Sequence, residues 1–119
     1  MSEQTTLALT GDRDTARSLL VHVMSRHHMG RKRGVTAHML AARLGITERL
    51  LRTLISDARR EGTAIAGTPE TGYYIAQTAA ELDECCRFLR SRAMHSLAIE
   101  ARLRGVALPE LLGQLRVRT

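Results

Sequence analysis

Basic side chains are concentrated in one stretch of the chain, and their chemistry suits the binding of a polyanion. Between Arg31 and Arg60, eight residues are basic and two are acidic, a net charge of +6 that equals the formal net charge of the whole chain. The rest of the chain is balanced, with ten residues of each sign. An excess confined to one short segment indicates a surface that faces phosphate groups. The eight basic residues are Arg31, Lys32, Arg33, Arg43, Arg49, Arg52, Arg59 and Arg60.

Five polar residues in this segment share one face at helical spacing and carry hydrogen-bonding groups suited to base edges. A guanidinium donates two parallel hydrogen bonds to guanine O6 and N7, which gives roughly 1–3 kcal/mol of discrimination. Arg52 is the first candidate for this role and Arg49 the second. The alternative is that both are solvated or paired with an acidic residue of the same helix: Glu48, Asp57 or Glu61. The predicted base-reading set is Glu48, Arg49, Arg52, Thr53 and Ser56.

A second set of residues is better placed for phosphate than for bases. Helix N-termini and loop amides attract anions without reading sequence, and a basic loop precedes the helix start predicted at Thr36. Arg59 and Arg60 lie near the end of a helix, where cations interact favourably with its dipole, so a purely structural role is at least equally expected there. The predicted phosphate contacts are Arg31, Lys32, Arg33, Thr36, His38, Thr47, Arg59 and Arg60.

Residues 37–56 have the spacing of a helix-turn-helix, in which two helices cross closely after a tight turn. Ala41 is small enough for the close crossing, and Gly45 can take the positive φ that the turn needs. The alternative is an ordinary amphipathic helical hairpin. Apolar residues that would hold both helices on a domain are Leu40, Leu44, Ile46, Leu51 and Leu54.

Helical periodicity predicts three helices in the first half of the chain. The first spans about residues 12–29 and ends at Gly30, the second spans about 37–44, and the third spans about 47–61 before a C′ glycine at Gly62. The core residues predicted for the second and third helices are Met39 or Leu40, Ala41, Leu44, Leu51, Leu54, Ile55 and Ala58.

After the third helix the period changes to the alternation of strands. Residues 63–66 and 73–76 flank a Gly- and Pro-containing turn at 67–72 and predict a β-hairpin. One of Tyr73 and Tyr74 is expected in the core and the other at the surface. A short strand residue is also expected before the second helix, at Val35.

From residue 35 to residue 76 the chain resembles the winged-helix family, in particular the domains at the front of bacterial biotin-operon and related repressors. The matching segments are LAARLGIT, LRTLISDARREGTAIAG and ETGYYIA. Small winged-helix proteins of bacteriophages resemble the whole arrangement. The resemblance implies a mainly α fold with a small hairpin, a winged helix-turn-helix followed by a long C-terminal helix, and a third helix that enters the DNA major groove. The turn departs from the family pattern, because it brings Glu70 and no cation, so we expect little attraction to phosphate there.

The last third of the chain predicts a long helix and a short one. Thr78 and Glu81 have capping-box spacing and open a helix of about residues 79–104, which Gly105 ends; Pro109 starts the final helix. An apolar stripe on the long helix exceeds what a small domain covers, which predicts a homodimer or a host protein partner. The alternative is that the long helix folds back on its own domain and is covered by the final helix through Leu111, Leu112 and Leu115. The stripe comprises Leu82, Cys86, Leu89, Ala93, Leu97 and Ala101.

Several function classes are disfavoured. The five histidines lack zinc-site spacing, and the adjacent Cys85 and Cys86 cannot close an ordinary disulfide loop, so we expect no metal and a reducing compartment. No phosphate loop or nucleophile motif is present, so we expect no enzyme activity and no cofactor. We expect no membrane segment and place the protein in the bacterial cytoplasm.

These observations predict three parts: a loose arm or short strand at residues 1–11, a winged helix-turn-helix domain at 12–77 and a dimerisation or partner-binding element at 78–119. The predicted function is sequence-specific binding of double-stranded DNA by a phage or bacterial transcriptional regulator. Two alternatives stay open. One is a protein-interaction module that binds a host enzyme, a replication component or a defence complex; the other is an origin-binding replication accessory.

Overall fold

The computed structural model of the chain describes residues 12–116, so the arm predicted at 1–11 lies outside the described residues. The described chain is mainly helical, with a small antiparallel hairpin and a long C-terminal helix, as the sequence predicts, and it divides into two compact units between Cys85 and Cys86. In chain order the elements are α1 (Arg13–His27), a 3-10 turn (Arg31–Arg33), α2 (Ala37–Leu44), α3 (Glu48–Arg60), β1 (Ile65–Thr68), β2 (Gly72–Ile75), α4 (Ala79–Arg104) and α5 (Leu108–Leu115).

Helices α2 and α3 begin where local capping chemistry predicts. The side-chain oxygens of Thr36 and Thr47 accept hydrogen bonds from backbone N–H groups three residues further on, at 3.1 and 3.0 Å. The two helices are joined at Gly45, whose φ of 71° lies in the left-handed region that a side chain disfavours. Ile46 N–H then donates to the Ala41 carbonyl at 3.0 Å, which satisfies one of the last carbonyls of α2.

The end of α1 differs from the prediction. The helix stops at His27, two residues earlier than expected, and Gly30 starts the 3-10 turn and does not end the helix. The cause is pairing with a distant strand: Ile75 N–H donates to the His28 carbonyl at 2.9 Å, and Gly30 N–H donates to the Ile75 carbonyl at 2.9 Å. These hydrogen bonds to β2 therefore use the backbone N–H and carbonyl groups that would otherwise have bonded within another turn of α1.

The hairpin is present with a tighter turn than predicted, because β1 begins two residues later and β2 one residue earlier than expected. The strands pair from Ile65 opposite Ile75 to Thr68 opposite Gly72, which leaves a three-residue turn at 69–71. The strand residue predicted at Val35 is confirmed, because its backbone exchanges hydrogen bonds of 2.9 and 2.6 Å with Tyr73 on the other edge of β2.

The core of the first unit follows the predicted periodicity. All four apolar residues predicted on the inner face of α3 are buried, and on α2 Leu40 is buried whereas Met39 is exposed. Tyr74 is buried with Ala66 and Cys85 in a second small cluster, and Tyr73 is half-buried. The main buried cluster comprises Ala16, Leu20, Met24, Leu40, Ala41, Leu44, Leu51, Leu54, Ile55, Ala58, Ile65 and Ile75.

The capping box predicted at the start of α4 forms in part. Glu81 N–H donates to the Thr78 hydroxyl oxygen at 3.1 Å, as expected. The Glu81 carboxylate accepts from Gln77 N–H at 2.8 Å, and the backbone N–H of the cap residue Thr78 contributes less to lowering its pKa.

The second unit contains the rest of α4 and α5. Gly105 ends α4 as predicted, with Val106 N–H donating to the Ala101 carbonyl at 3.0 Å. Pro109 lies in the first turn of α5, as expected. Ala101 and Leu111 are buried, whereas Leu115 is exposed.

Candidate nucleic-acid interface

Helix α3 presents two arginines on the side opposite its buried face. Arg49 and Arg52 are exposed, and the Arg52 side chain keeps 60% of its accessible surface. Thr53 and Ser56 are half-buried at the border of this face. The Thr53 hydroxyl donates to the Arg49 carbonyl at 3.3 Å, so its hydrogen is engaged within the helix. The two guanidinium groups are thus the most accessible donors of the predicted base-reading set.

Glu48 links the base-reading set to a phosphate candidate on α2. Its carboxylate lies 3.4 Å from His38 Nδ1 and 3.8 Å from an Arg52 terminal nitrogen. All three side chains are solvent-accessible, and contacts of this kind in water contribute little to stability. Arg52 can therefore exchange this carboxylate for another acceptor at small cost. Of the two arginines that the sequence allows Glu48 to pair with, the structure brings it close to Arg52.

The three cations of the basic loop Arg31–Arg33 differ in whether they are already paired. The Arg31 guanidinium forms an ion pair with Glu84, and the Arg31 N–H donates to Glu81. Lys32 and Arg33 are exposed and have no ion-pair partner within residues 12–116. Lys32 and Arg33 are therefore the cations of this loop that remain available to an incoming phosphate.

One histidine holds the end of this loop. His28 Nδ1 lies 2.9 Å from the Arg33 carbonyl, and because a carbonyl only accepts, the Nδ1–H donates. The other ring nitrogen, Nε2, is buried without a hydrogen-bond partner in the described part of the chain. The ring thus fixes the backbone from which Lys32 and Arg33 project.

The two threonine caps lie at exposed helix starts. The oxygens of Thr36 and Thr47 are used as acceptors for their own helices, while their hydroxyl hydrogens have no acceptor assigned among the described residues. Each helix start also exposes backbone N–H groups with the positive end of its dipole. Each helix start thus keeps donors that a phosphate oxygen could accept from.

The two arginines at the end of α3 have structural partners. Arg59 Nε donates to the Ile65 carbonyl at 2.8 Å and so connects α3 to β1. Arg60 pairs with Asp57 at 3.1 Å, and Asp57 also accepts from Arg13 of α1 at 2.7 Å. The structural alternative stated for these two residues therefore accounts for their observed contacts.

Arg26 and Arg43 form a cationic group near the end of α1 that the predicted base-reading and phosphate sets do not include. The pKa of His27 lies below its ordinary value because of partial desolvation and, after that, the positive charges of Arg43 and Arg26. Arg26 and Arg43 are both exposed. Arg43 appears in the basic stretch of the sequence, but its proximity to α1 depends on how the helices pack, which spacing does not reveal.

The hairpin turn carries an acidic residue and no cation. Glu70 is exposed at its tip. Thr68 and Thr71 hydrogen-bond to each other: the Thr68 backbone N–H donates to the Thr71 hydroxyl oxygen at 3.2 Å, and the Thr71 backbone N–H donates to the Thr68 hydroxyl oxygen at 3.1 Å. The residues that form the turn and its strands include no lysine or arginine.

The stripe predicted for a partner on α4 is divided. In the first unit Leu82 is exposed. In the second unit Cys86, Leu89 and Ala93 are exposed and Leu97 is half-buried, whereas Ala101 retains only 3% of its surface. Ala101 is thus already covered, so the described structure does not offer the complete stripe.

Within residues 12–116 no group of three histidine, cysteine or acidic side chains is placed to hold a metal ion. Among the same residues, no helix combines the length and the apolar composition needed to cross a bilayer. Comparisons with family models, with curated proteins and with solved structures found no match to this chain.

Proposed function

We propose that this chain is a sequence-specific double-stranded DNA-binding protein of the winged helix-turn-helix type, a phage or bacterial transcriptional regulator that acts by occupying its operator. The observation that carries the proposal is the placement of Arg49 and Arg52. Both are exposed on one side of α3, while the opposite side of that helix is buried in the core. A helix anchored in this way presents its donors with little freedom to move, as base reading requires.

In this mechanism α3 lies in the major groove, which is wide enough to admit one helix. Arg52 leaves the weak contact with Glu48 and donates to guanine O6 and N7. Glu48 then becomes an acceptor for a cytosine amino group on the neighbouring base pair. Arg49, one helical turn before Thr53, reaches a second base edge or a phosphate.

Phosphate contacts set the affinity and the register of the protein on the duplex. Lys32 and Arg33 meet one strand from the basic loop, and the helix starts at Thr36 and Thr47 add backbone N–H donors. Each phosphate neutralised by a cation releases counterions, so binding weakens as salt is raised. The bound protein then blocks or recruits RNA polymerase.

The experiment is selection of bound duplexes from a random pool, followed by titration of the selected and of random DNA at several salt concentrations. We expect an enriched motif for the wild-type chain. Arg52→Ala should lower the preference at one base pair by roughly 5- to 150-fold, which corresponds to about 1–3 kcal/mol. Lys32→Ala should weaken binding to all duplexes and reduce the log–log salt slope by about one unit.

The matched control is Arg104→Ala, which removes the same charge from an exposed position in the second unit. It should leave the preference and the salt slope at the wild-type values. Equal losses on selected and random DNA for Arg52→Ala and Lys32→Ala would refute the assignment of roles. Absence of duplex binding at moderate salt would refute the function and favour the protein-interaction module.

A further inference from the structure

The second unit leaves large apolar side chains in water. Leu103 keeps 83% of its surface and Ile99 keeps 50%, and Phe88 and Leu89 are also exposed. Several exposed apolar side chains grouped on one helix mark a candidate interaction site in a soluble protein. These residues belong to the part of α4 that follows Cys85.

The four residues share one side of the helix. Phe88, Ile99 and Leu103 are separated by eleven and four positions, both close to whole numbers of helical turns, and Leu89 lies at the border of this side, about 80° around the helix from Ile99. The buried Ala101 and the half-buried Met94 and Leu97 lie on a different side. The helix therefore buries one apolar side within its own unit, and a second apolar side has no partner among residues 12–116.

The second unit is also strongly cationic. Arg92 lies in the middle of the exposed apolar side, with its guanidinium carbon 5.8 Å from the centre of the Phe88 ring. Glu100 is committed to Arg104 at 2.7 Å. Residues 86–116 contain six arginines and two glutamates: Arg87, Arg90, Arg92, Arg102, Arg104, Arg116, Glu100 and Glu110.

We propose that the face formed by Phe88, Leu89, Ile99 and Leu103 binds an acidic amphipathic helix of a protein partner. Apolar residues of that helix at three- and four-residue spacing would cover the exposed side chains. Its carboxylates would meet Arg92 within the face and the arginines beside it. This interaction is independent of the DNA-binding proposal, because it uses none of the residues assigned to DNA.

A second copy of the chain is the less favourable occupant, since pairing this face with itself brings arginines against arginines. The acidic residues at the start of α4 do not compensate, because they are already engaged: Glu81 holds the backbone of Gln77 and Arg31, Glu84 holds the Arg31 side chain, and Asp83 also has a partner within the chain. Nucleic acid offers phosphates but little apolar surface with which to cover Leu103. A lipid surface favours a helix with its cations on the opposite side, whereas Arg92 lies within the apolar side.

The test uses the full chain and a displayed library of helical peptides with randomised surface positions. We expect the enriched peptides to combine Leu, Ile or Phe at helical spacing with flanking Asp or Glu. A synthetic copy of the most enriched peptide is then titrated by fluorescence anisotropy. Ile99→Ser and Leu103→Ser together should weaken its binding at least tenfold, and Arg92→Glu should weaken it as well.

The matched control is Met39→Ser, which removes an equally exposed apolar side chain from the first unit and should leave peptide binding unchanged. Circular dichroism verifies that the Leu103→Ser helix content equals that of the wild type, as expected for so exposed a residue. Enrichment of basic or neutral peptides, absence of enriched peptides, or unchanged binding by the double variant would overturn the proposal.

Two further outcomes would assign the face to another occupant and so also overturn it. One is a concentration-dependent dimer in sedimentation velocity that Leu103→Ser converts to a monomer. The other is binding to vesicles of phosphatidylcholine and phosphatidylserine that the same variant abolishes. Duplex titration of Leu103→Ser should match the wild type in either case, which keeps this test separate from that of DNA binding.

Discussion

The Arg31 N–H donates a hydrogen bond of 3.1 Å to Glu81 Oε2 across a sequence separation of 50 residues. The other carboxylate oxygen of Glu81 accepts from Gln77 N–H at 2.8 Å. One side chain thus joins the start of α4 to the loop that carries Lys32 and Arg33. The position of those two cations depends on a residue that would touch no ligand itself.

The first prediction concerns Glu81→Gln. Hydrogen bonds from Gln77 N–H and then Arg31 N–H hold the pKa of the Glu81 carboxyl below its ordinary value. A lowered pKa in the folded state means stabilisation that is present above the unfolded-state pKa, about 4.3, and lost as the pH falls through the folded-state value. We expect a lower Tm for Glu81→Gln near neutral pH and convergence with the wild type in acid. Thermal unfolding followed by circular dichroism at a series of pH values measures this.

Glu70→Gln is the control for that series, because Glu70 is exposed in the hairpin turn and has no ion-pair or hydrogen-bond partner assigned among the described residues. Its Tm should follow the wild type at every pH. A Tm difference for Glu81→Gln that stays constant into acid would show that the carboxylate charge contributes nothing.

The second prediction concerns the contact between α1 and α3. Arg13 donates to Asp57 Oδ2 from Nε at 3.1 Å and from a terminal nitrogen at 2.7 Å, and the Asp57 side chain is only 14% exposed. Its pKa is lowered chiefly by the hydrogen bond from Arg13. In urea unfolding, Asp57→Asn should destabilise the fold more than Arg60→Ala, because the Arg60 side chain is mostly in water. A double-mutant cycle of Arg13→Ala with Asp57→Asn should show coupling, and strict additivity would contradict the contact.

The third prediction compares two glycines of positive φ. A Cβ on Gly72 would lie 2.6 Å from the carbonyl carbon and oxygen of Val35, whereas a Cβ on Gly62 would meet nothing within 4 Å. Gly62→Ala should cost about 1–2 kcal/mol of unfolding free energy from its backbone conformation alone. Gly72→Ala should cost more, since the backbone of Val35 must also move. Equal losses of unfolding free energy for the two variants in urea would contradict the close approach of Gly72 to the Val35 backbone.

The fourth prediction concerns the adjacent thiols. Cys85 is buried and donates to the Ile65 carbonyl at 3.6 Å, whereas Cys86 is exposed. Because a disulfide reagent needs an accessible thiolate, one thiol per native chain should react rapidly with 5,5′-dithiobis(2-nitrobenzoic acid), and the second only on unfolding. Cys86→Ser should abolish the rapid phase, and Cys85→Ser should retain it. Rapid reaction of both thiols would show that the cluster around Cys85 opens readily.

Features set by neighbouring residues were predictable from the sequence. The helix starts at Thr36 and Thr47 and the turn at Gly45 follow from capping and from glycine's access to positive φ, which involve only a few consecutive residues. The inner face of α3 follows from its period. The end of α1 was not predictable in the same way, because Ile75, far along the chain, provides the groups that replace its last helical turn.

The same distinction between local and long-range features applies to the candidate nucleic-acid interface. That Arg49 and Arg52 share an outward face follows from helical spacing, and the structure leaves both exposed. The pairing of Arg31 with Glu84, and the bond from Arg59 to the Ile65 carbonyl, required knowledge of which elements meet. Spacing therefore located the cationic surface, but tertiary contacts decide which of its cations remain available.

The contacts at Ile65 also bear on self-association of the hairpin. Its carbonyl points away from β2 and receives both Arg59 Nε and the Cys85 thiol, while the far side of β2 is paired with Val35 and the backbone around Gly30. An uncovered strand edge is a template for amyloid-like addition of further chains. With Ile65 capped by side chains, this short sheet has no continuous row of vacant acceptors to propagate a fibril.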